Sequence, residues 1–299
     1  MENVNGLIVK ALGGFYYVKT SQTLLECRAR GVFRKKDMTP YVGDNVTVEL
    51  TDKDKGYIID IAERKNFLIR PPVANLDRIL MVTATTEPSP NFFVLDRLIA
   101  ISEYKNIDPV IIITKTDLKD GSDIKNIYEK SGFTVVEVCS QTGKGVDEVR
   151  KIISTGISAF CGNTGVGKSS LLNAVDKNLS LATAEISKKL GRGRHTTRHV
   201  ELFQLPEGGY IADTPGFSAI ETDRFETILK EDLQYCFREF SPYISECKFT
   251  GCSHRTEKGC KVLEALEKGE IMPTRHESYV QMYEKAKEIK EWEIKGKNV

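Results

Sequence analysis

The eight residues Gly162-Asn163-Thr164-Gly165-Val166-Gly167-Lys168-Ser169 fit G-x-x-x-x-G-K-[ST], between the apolar run Ile157 to Cys161 and the helical run SLLNAVD. No other feature restricts the fold as much, because such a loop works only where a buried strand passes directly into a helix. Its glycines let backbone N–H groups wrap phosphate oxygens, and the helix N-terminus adds positive potential. Lys168 then reaches the outer phosphates and Ser169 offers a hydroxyl to Mg²⁺, with Ser170 beside it in the first helical turn.

The surroundings agree. From about residue 69 to 220, continuous apolar runs alternate with amphipathic ones: RILMVTA, helix FFVLDRLIAISEYKN, PVIIIT, a helix across Ile124 to Ser131, TVVEVC, helix VDEVRKIIS, then ISAFC. Runs of that kind are strands covered on both faces, and helical crossovers between them predict a parallel α/β sheet. HVELFQL and YIAD supply two further strands. Before it, residues 1–68 show five short strands, LIVKAL, FYYVKT, LLECRAR, VTVEL and GYIIDI, which predict a small OB-like barrel. Arg70-Pro71-Pro72 breaks the pattern and is expected to be a linker. Residues 221–299 hold short helical pieces, a cysteine-rich stretch and a charged final helix, expected to be salt-bridged and solvent-exposed, or else to pack on RNA or on the GTPase domain.

Two motifs specify base and switch. Thr114-Lys115-Thr116-Asp117 follows the strand PVIII and resembles the guanine-reading N-K-x-D, in which the aspartate takes two hydrogen bonds from guanine N1 and N2. Adenine lacks that donor pair, so a site built for it leaves a carboxylate unpaired when adenine enters. Thr114 replaces the usual asparagine, which puts one contact of the base rim in question. The strand end TVVEVCSQTGKG supplies a partner loop, with Ser140 expected to support Asp117. Asp213-Thr214-Pro215-Gly216 follows YIAD and reads as a DxxG switch, its carboxylate near the metal and the Gly216 N–H toward the γ-phosphate.

Both base-side motifs precede the phosphate loop, the reverse of their order in ordinary small GTPases. A permuted chain can still build the site, because domain termini often lie close together and the contacts do not depend on chain order. The segment after DTPG then runs straight into the cysteine-rich unit.

Composition bounds the rest. Among 299 residues, 43 lysines and arginines nearly cancel 42 aspartates and glutamates, so any nucleic-acid contact must be local. MENVNGLIVK lacks the pattern of an export signal and no window is apolar enough to span a membrane, so a cytoplasmic protein with no membrane partner is expected. Of seven cysteines, Cys247, Cys252 and Cys260 join His254 in C-x4-C-x-H-x5-C, a Cys₃His set expected to hold one structural zinc. Cys27, Cys139, Cys161 and Cys236 read as buried small hydrophobes. Positive charge gathers at Arg28, Arg30, Arg34, Lys35 and Lys36, and again at Lys188, Lys189, Arg192, Arg194 and Arg198. With Phe15, Tyr16, Tyr17 and Phe33 near the first group, this fits RNA binding.

Taken together, these motifs resemble the circularly permuted, small-subunit-dependent GTPases of bacteria, the RsgA family, along the whole chain. The resemblance implies an OB-fold barrel, a permuted phosphate-loop GTPase domain and a zinc-binding tail. It also implies a protein that assists late maturation of the small (30S) ribosomal subunit, binds its rRNA, cycles between GTP and GDP, and is stimulated by the subunit. In Ras-like proteins a glutamine after the DxxG glycine orients the attacking water; here that residue is Phe217. The resemblance implies that His195 positions the water and that Thr197, or its neighbour Thr196, closes on Mg²⁺. The chain is expected to act as a monomer. Two competing classes remain at this level, an RNA-binding scaffold with little GTP turnover and an ATP-dependent kinase or ATPase.

Overall fold

The fold is given by a computed structural model, which describes residues 2–31, 33, 38–176, 200–213 and 227–289. Its contacts divide the chain into two compact bodies. One is made of residues 1–78, 150–160 and 175–217, the other of 79–149, 161–174 and 218–299.

In the first body, five strands, β1 (Asn3–Leu12), β2 (Phe15–Lys19), β3 (Leu24–Ala29), β4 (Asn45–Asp52) and β5 (Lys55–Ile61), close on themselves. The antiparallel pairs are β1–β2, β2–β3, β4–β5 and β1–β4, while β3 and β5 run parallel. That cycle leaves no free edge, which is how a small sheet avoids edge pairing with other chains. Strand β1 serves both neighbours by bending: Asn3 to Leu7 pair with β4, and from Leu7 on the strand pairs with β2, with a register shift between Ile8 and Lys10. Alternation of side chains along the strands puts Ile8, Val18, Leu25, Cys27, Val46, Val48 and Ile58 inside.

The expected linker is instead a hairpin, β6 (Phe67–Ile69) against β7 (Pro72–Ala74). Its prolines are tolerated because Pro71 lies in the turn and Pro72 is the first residue of β7, positions that need no N–H donor. Arg64 explains why it lies down on the barrel side. Its guanidinium makes two bonds to the fully buried Asp44 (2.7 and 2.8 Å) and stands over the rings of Tyr41 and Phe67. In the same body β11 (Ile157–Cys161) pairs parallel with β13 (Tyr210–Asp213), but β12 (Glu201–Gln204) is antiparallel to β13 and to β1. The sheet is therefore mixed rather than wholly parallel. The five-residue return from β12 to β13, Leu205 to Gly209, can only be a hairpin, since a parallel crossover needs a dozen or more residues.

The second body carries β8 (Arg78–Ala84), helix α1 (Phe92–Tyr104), β9 (Asp108–Thr114), α2 (Ser122–Lys130), β10 (Thr134–Glu137) and the start of α3 (Val146–Ile153). Strands β9 and β10 are parallel, Thr134 opposite Val110 and Glu137 opposite Ile113. After the phosphate loop comes α4 (Lys168–Val175). The C-terminal part adds α5 (Lys230–Leu233), two short 3-10 turns, α6 (Ser241–Ile244), α7 (Lys261–Glu267) and α8 (Pro273–Lys287).

Of the two expectations for the final helix, exposure holds for one face of α8 only; the other packs on α1, within the stretch read as the GTPase domain. One face buries His276, Ser278, Tyr279, Met282 and Ala286, and Arg275 is 0% exposed. The Arg275 guanidinium donates to Asp96 of α1 and to Glu239, each at 2.7 Å, and lies 4.7 Å from the Phe237 ring centroid. Tyr128 of α2 donates to the same Asp96 oxygen at 3.0 Å. A cation so deep is tolerable only because two carboxylates neutralise it and its N–H groups are engaged. Together with the apolar cluster of Ala100, Leu233, Phe237, Phe240, Tyr279 and Met282, this pins the C-terminal helices to α1.

Candidate nucleotide and metal sites

Strand β11 ends at Cys161, and the chain turns sharply at Gly162, whose φ of +143° suits glycine alone. A Cβ there would stand 2.3 Å from the Val82 carbonyl oxygen of β8. The phosphate loop is thus laid against the backbone of β8 with no room for a side chain. Thr164 and Gly165 at its crest are exposed, as are Ser169 and Ser170 in the first turn of α4, while Asn163, Gly167 and Lys168 are half-buried and Val166 is buried. Lys168 Nζ donates to the carbonyls of Gly162 and Asn163, both at 2.6 Å. Burial holds its pKa below the usual lysine range.

The base-side motif sits on the same structure. Thr114, at the end of β9 and 3% exposed, directs its hydroxyl at two carbonyls, Val166 of the phosphate loop (2.5 Å) and Thr83 of β8 (3.1 Å). A hydroxyl has one proton, and the shorter distance assigns it to Val166. The contact thus ties the guanine-motif strand end to the phosphate loop, through the residue that departs from the usual asparagine. Lys115 follows with φ +59°, turning the chain out of the strand. Its carbonyl accepts from the Thr85 hydroxyl at 2.7 Å, and its ammonium donates to the Glu87 carbonyl. Asp117, two residues on, is exposed.

The loop that carries half-buried Ser140 leaves the neighbouring strand end, since β9 and β10 are parallel in register and Val138 N–H donates to the Ile113 carbonyl at 2.7 Å. Among the described residues no hydrogen bond joins Ser140 to Asp117. Asp213 is the last residue of β13. Thr196, Thr197, His195, Gly216 and Phe217 lie outside the described residues, as do Arg34, Lys35, Lys36, Lys188, Lys189, Arg192, Arg194 and Arg198.

Cys247, Cys252, His254 and Cys260 converge so that their ligand atoms all lie within 4.8 Å of one another. Cys247 Sγ is 3.7 Å from His254 Nδ1 and 4.0 Å from Cys260 Sγ, and His254 Nδ1 is 3.3 Å from Cys260 Sγ. With metal–sulfur bonds near 2.3 Å, the edge of a tetrahedron is about 3.8 Å, so the donors stand at the right separations. Burial keeps the Cys260 thiol up at about 12 and raises that of Cys252. A cation bound here would displace thiol protons, and its binding tightens as pH rises.

One functional residue is absent from the sequence reading. Gln234, thirteen residues ahead of Cys247, places Oε1 2.9 Å from His254 Nε2, and its amide NH₂ donates to the Glu231 carbonyl at 3.2 Å. The second bond orients the amide, so Nε2 is the protonated nitrogen and Nδ1 keeps its lone pair for the cation. No spacing rule reaches a partner outside the ligand motif.

On the barrel, the Arg28 guanidinium lies 4.5 Å from the Phe15 ring centroid, Arg30 pairs with Glu49, and Tyr17 donates to Glu26 at 3.3 Å. Phe15, Tyr16 and Tyr17 are half-buried on β2. Phe33, read as a stacking ring, is 5% exposed and belongs to the core. An aromatic amid polar neighbours in sequence can still turn inward to close one end of a barrel. Cys27, Cys139, Cys161 and Cys236 are buried, as expected.

A phosphate loop tied through Thr114 to a guanine-type motif that precedes it in the chain, in a protein that also carries a five-stranded barrel and a Cys₃His cluster, defines a circularly permuted phosphate-loop nucleotide-binding protein. A family model described as RsgA GTPase matches residues 61–223, and one described as RsgA N-terminal domain matches residues 5–58. Two curated relatives bear the name small ribosomal subunit biogenesis GTPase RsgA. That of Caldanaerobacter subterraneus subsp. tengcongensis is 44% identical over 96% of this chain and 97% of its own, and that of Geobacillus thermodenitrificans 46% identical over 95% and 98%. Among solved structures, YjeQ from Thermotoga maritima superposes with a TM-score of 0.82 at 31% identity, covering 97% of this chain and 100% of its own. YloQ, a circularly permuted GTPase, gives 0.77 at 35%, covering 97% and 96%. The chain belongs to the RsgA GTPase family.

Proposed function

We propose that this protein is a GTPase of small ribosomal subunit biogenesis, hydrolysing GTP to GDP and phosphate and using the nucleotide state to control its stay on the subunit. The observation that carries the nucleotide reading is the Thr114 to Val166 contact, which leaves one ligand able to lie on the phosphate loop while Asp117 meets its base. Kinship with proteins named for this role supplies the ribosomal part.

In this reading the backbone of Gly162 to Gly167 cradles the phosphates, and Lys168 exchanges its two carbonyl bonds for phosphate oxygens. Thr114, Lys115, Asp117 and Ser140 form the base side. Ser169 and Thr197 would hold Mg²⁺, which supplies charge neutralisation at the outer phosphates. Ser170, Asp213 and Gly216 complete the phosphate end, and His195 positions the attacking water, an arrangement that needs no glutamine at Phe217. Cys247, Cys252, His254 and Cys260 would hold one zinc ion that closes the C-terminal fold and takes no part in hydrolysis.

The domains are assigned as 1–68 for the barrel, 69–220 for the GTPase and 221–299 for the metal-binding helices. The protein acts as a monomer in the cytoplasm, on rRNA. In support, no described helix is long and apolar enough to cross a membrane.

The decisive experiment measures GTP and ATP hydrolysis with and without small ribosomal subunits. GTP-selective turnover that rises on adding subunits is expected, and it should fall in His195→Ala. Unstimulated or ATP-equivalent turnover would refute the reading.

A further inference from the structure

Between Cys247 and Cys252 the chain makes a four-residue turn, Lys248-Phe249-Thr250-Gly251. Phe249 is 51% exposed and lies outside the apolar cluster that holds the C-terminal helices together. A half-exposed phenyl ring is unremarkable alone, but the mount that carries this one is not. Both ends of the turn are cluster cysteines. Lys248 N–H donates to the Gly259 carbonyl at 3.1 Å, and Lys261 N–H donates to Cys247 Sγ at 3.4 Å. At Gly259, φ is +80° and a Cβ would stand 3.0 Å from that of Lys248, so the two turns are in contact. The ring is therefore held out on a rigid support, and binding through it costs little ordering entropy.

Two lysines accompany the ring, while exposed Glu246 stands near Tyr243 and Lys261. The Lys248 ammonium stands 5.5 Å from the Phe249 ring centroid, and exposed Lys258 lies on the adjoining turn, beside Gly259. Among the described residues neither lysine has a carboxylate partner. The acidic neighbour Glu257 is turned inward, its carboxylate accepting from the N–H groups of Ser253 (3.0 Å), Arg255 (2.9 Å) and Thr256 (3.0 Å). The exposed residues of the two turns, Thr250, Gly251, Lys248 and Lys258, offer no second apolar group, so a protein partner would find too little apolar area here. A flat π-face flanked by free ammonium groups matches an unpaired base with its phosphates.

We propose that the Lys248–Gly251 turn is an RNA contact in which Phe249 stacks on an unpaired base and Lys248 and Lys258 meet the adjacent phosphates. This rests on the reading of the chain as a small-subunit GTPase and names one element of that interface. It also adds a contact far in sequence from the barrel residues.

The test uses the full chain. Phe249→Ala should bind small ribosomal subunits about tenfold more weakly, with zinc content and unstimulated GTP turnover unchanged, and Phe249→Trp should bind as the parent does. With Trp292, the one tryptophan of the chain, replaced by Phe, the indole of Phe249→Trp should be quenched by a single-stranded oligoadenylate and far less by the same strand in a duplex. Parent-like subunit affinity in Phe249→Ala would overturn the proposal. So would full rescue by Phe249→Leu with no quenching by oligoadenylate, because that pattern belongs to an apolar protein pocket. If the parent itself neither binds subunits nor is stimulated by them, it is the functional reading that fails. Parent stimulation with an indifferent Phe249→Ala fails the stacking contact alone.

Discussion

Thr114→Val tests whether the hydroxyl is what holds the two halves of the nucleotide site in register. Valine is nearly isosteric with threonine, so packing around this 3% exposed side chain is kept, and the loss is confined to the donor that reaches the Val166 carbonyl at 2.5 Å. A net hydrogen bond contributes about 0.5–1.5 kcal/mol, and a buried carbonyl left without its donor costs about 1–3 kcal/mol. GTP spans both segments, so without the strut the ligand must hold them in register itself. At about 1.4 kcal/mol per factor of ten, the loss corresponds to GTP affinity weaker by roughly five- to a hundredfold. Titration of a fluorescent GTP analogue reads this directly, with Thr114→Ser as the control that keeps the hydroxyl. Thermal melting without nucleotide separates the share lost from the free protein. If Thr114→Val binds GTP within twofold of the parent while melting at the same temperature, the hydroxyl is no strut and the argument is wrong.

Asp117→Ala should lower affinity for GTP while leaving that for ATP near its starting value, so the selectivity ratio collapses; competition binding with both nucleotides measures it, and a preserved ratio removes Asp117 from base reading. Gln234→Leu should leave the four ligands in place yet weaken zinc retention about 10- to 100-fold against a chelator, with the metal lost at higher pH than in the parent, because the histidine tautomer is no longer fixed. Replacing Arg275 by alanine strands Asp96 and Glu239, two carboxylates exposed by less than a tenth, and should cost about 3–5 kcal/mol of stability in denaturant unfolding. The same cost in the triple replacement Arg275→Met, Asp96→Leu, Glu239→Leu would contradict this, since removing all three charges together should recover most of the loss. Chelation of the metal should unfold the C-terminal helices cooperatively, seen as loss of far-ultraviolet dichroism restored by zinc.

Much of this molecule is local in origin, and the sequence alone determined it. Five alternating runs become five barrel strands within a few residues of where the pattern places them. The strand-loop-helix context of Gly162 to Ser169 is what the glycines and the preceding apolar run require, and four ligands within fourteen residues can hardly avoid one another. Periodicity, turn chemistry and ligand spacing are properties of neighbours along the chain, so they survive without coordinates.

What tertiary structure decided is everything that depends on partners far apart in sequence. Thr114 looked like a weakened guanine motif until the Val166 carbonyl, 52 residues away, gave its hydroxyl a purpose. Arg275, 179 residues from Asp96, and Gln234 carry no local signal at all, and Phe33 read as a stacking ring rather than a core residue. The antiparallel seat of β12 beside β1 joins segments 191 residues apart, as Lys10 and Glu201 show. A polar side chain's role is set by whichever group shares its low-dielectric surroundings, and folding brings that group from elsewhere.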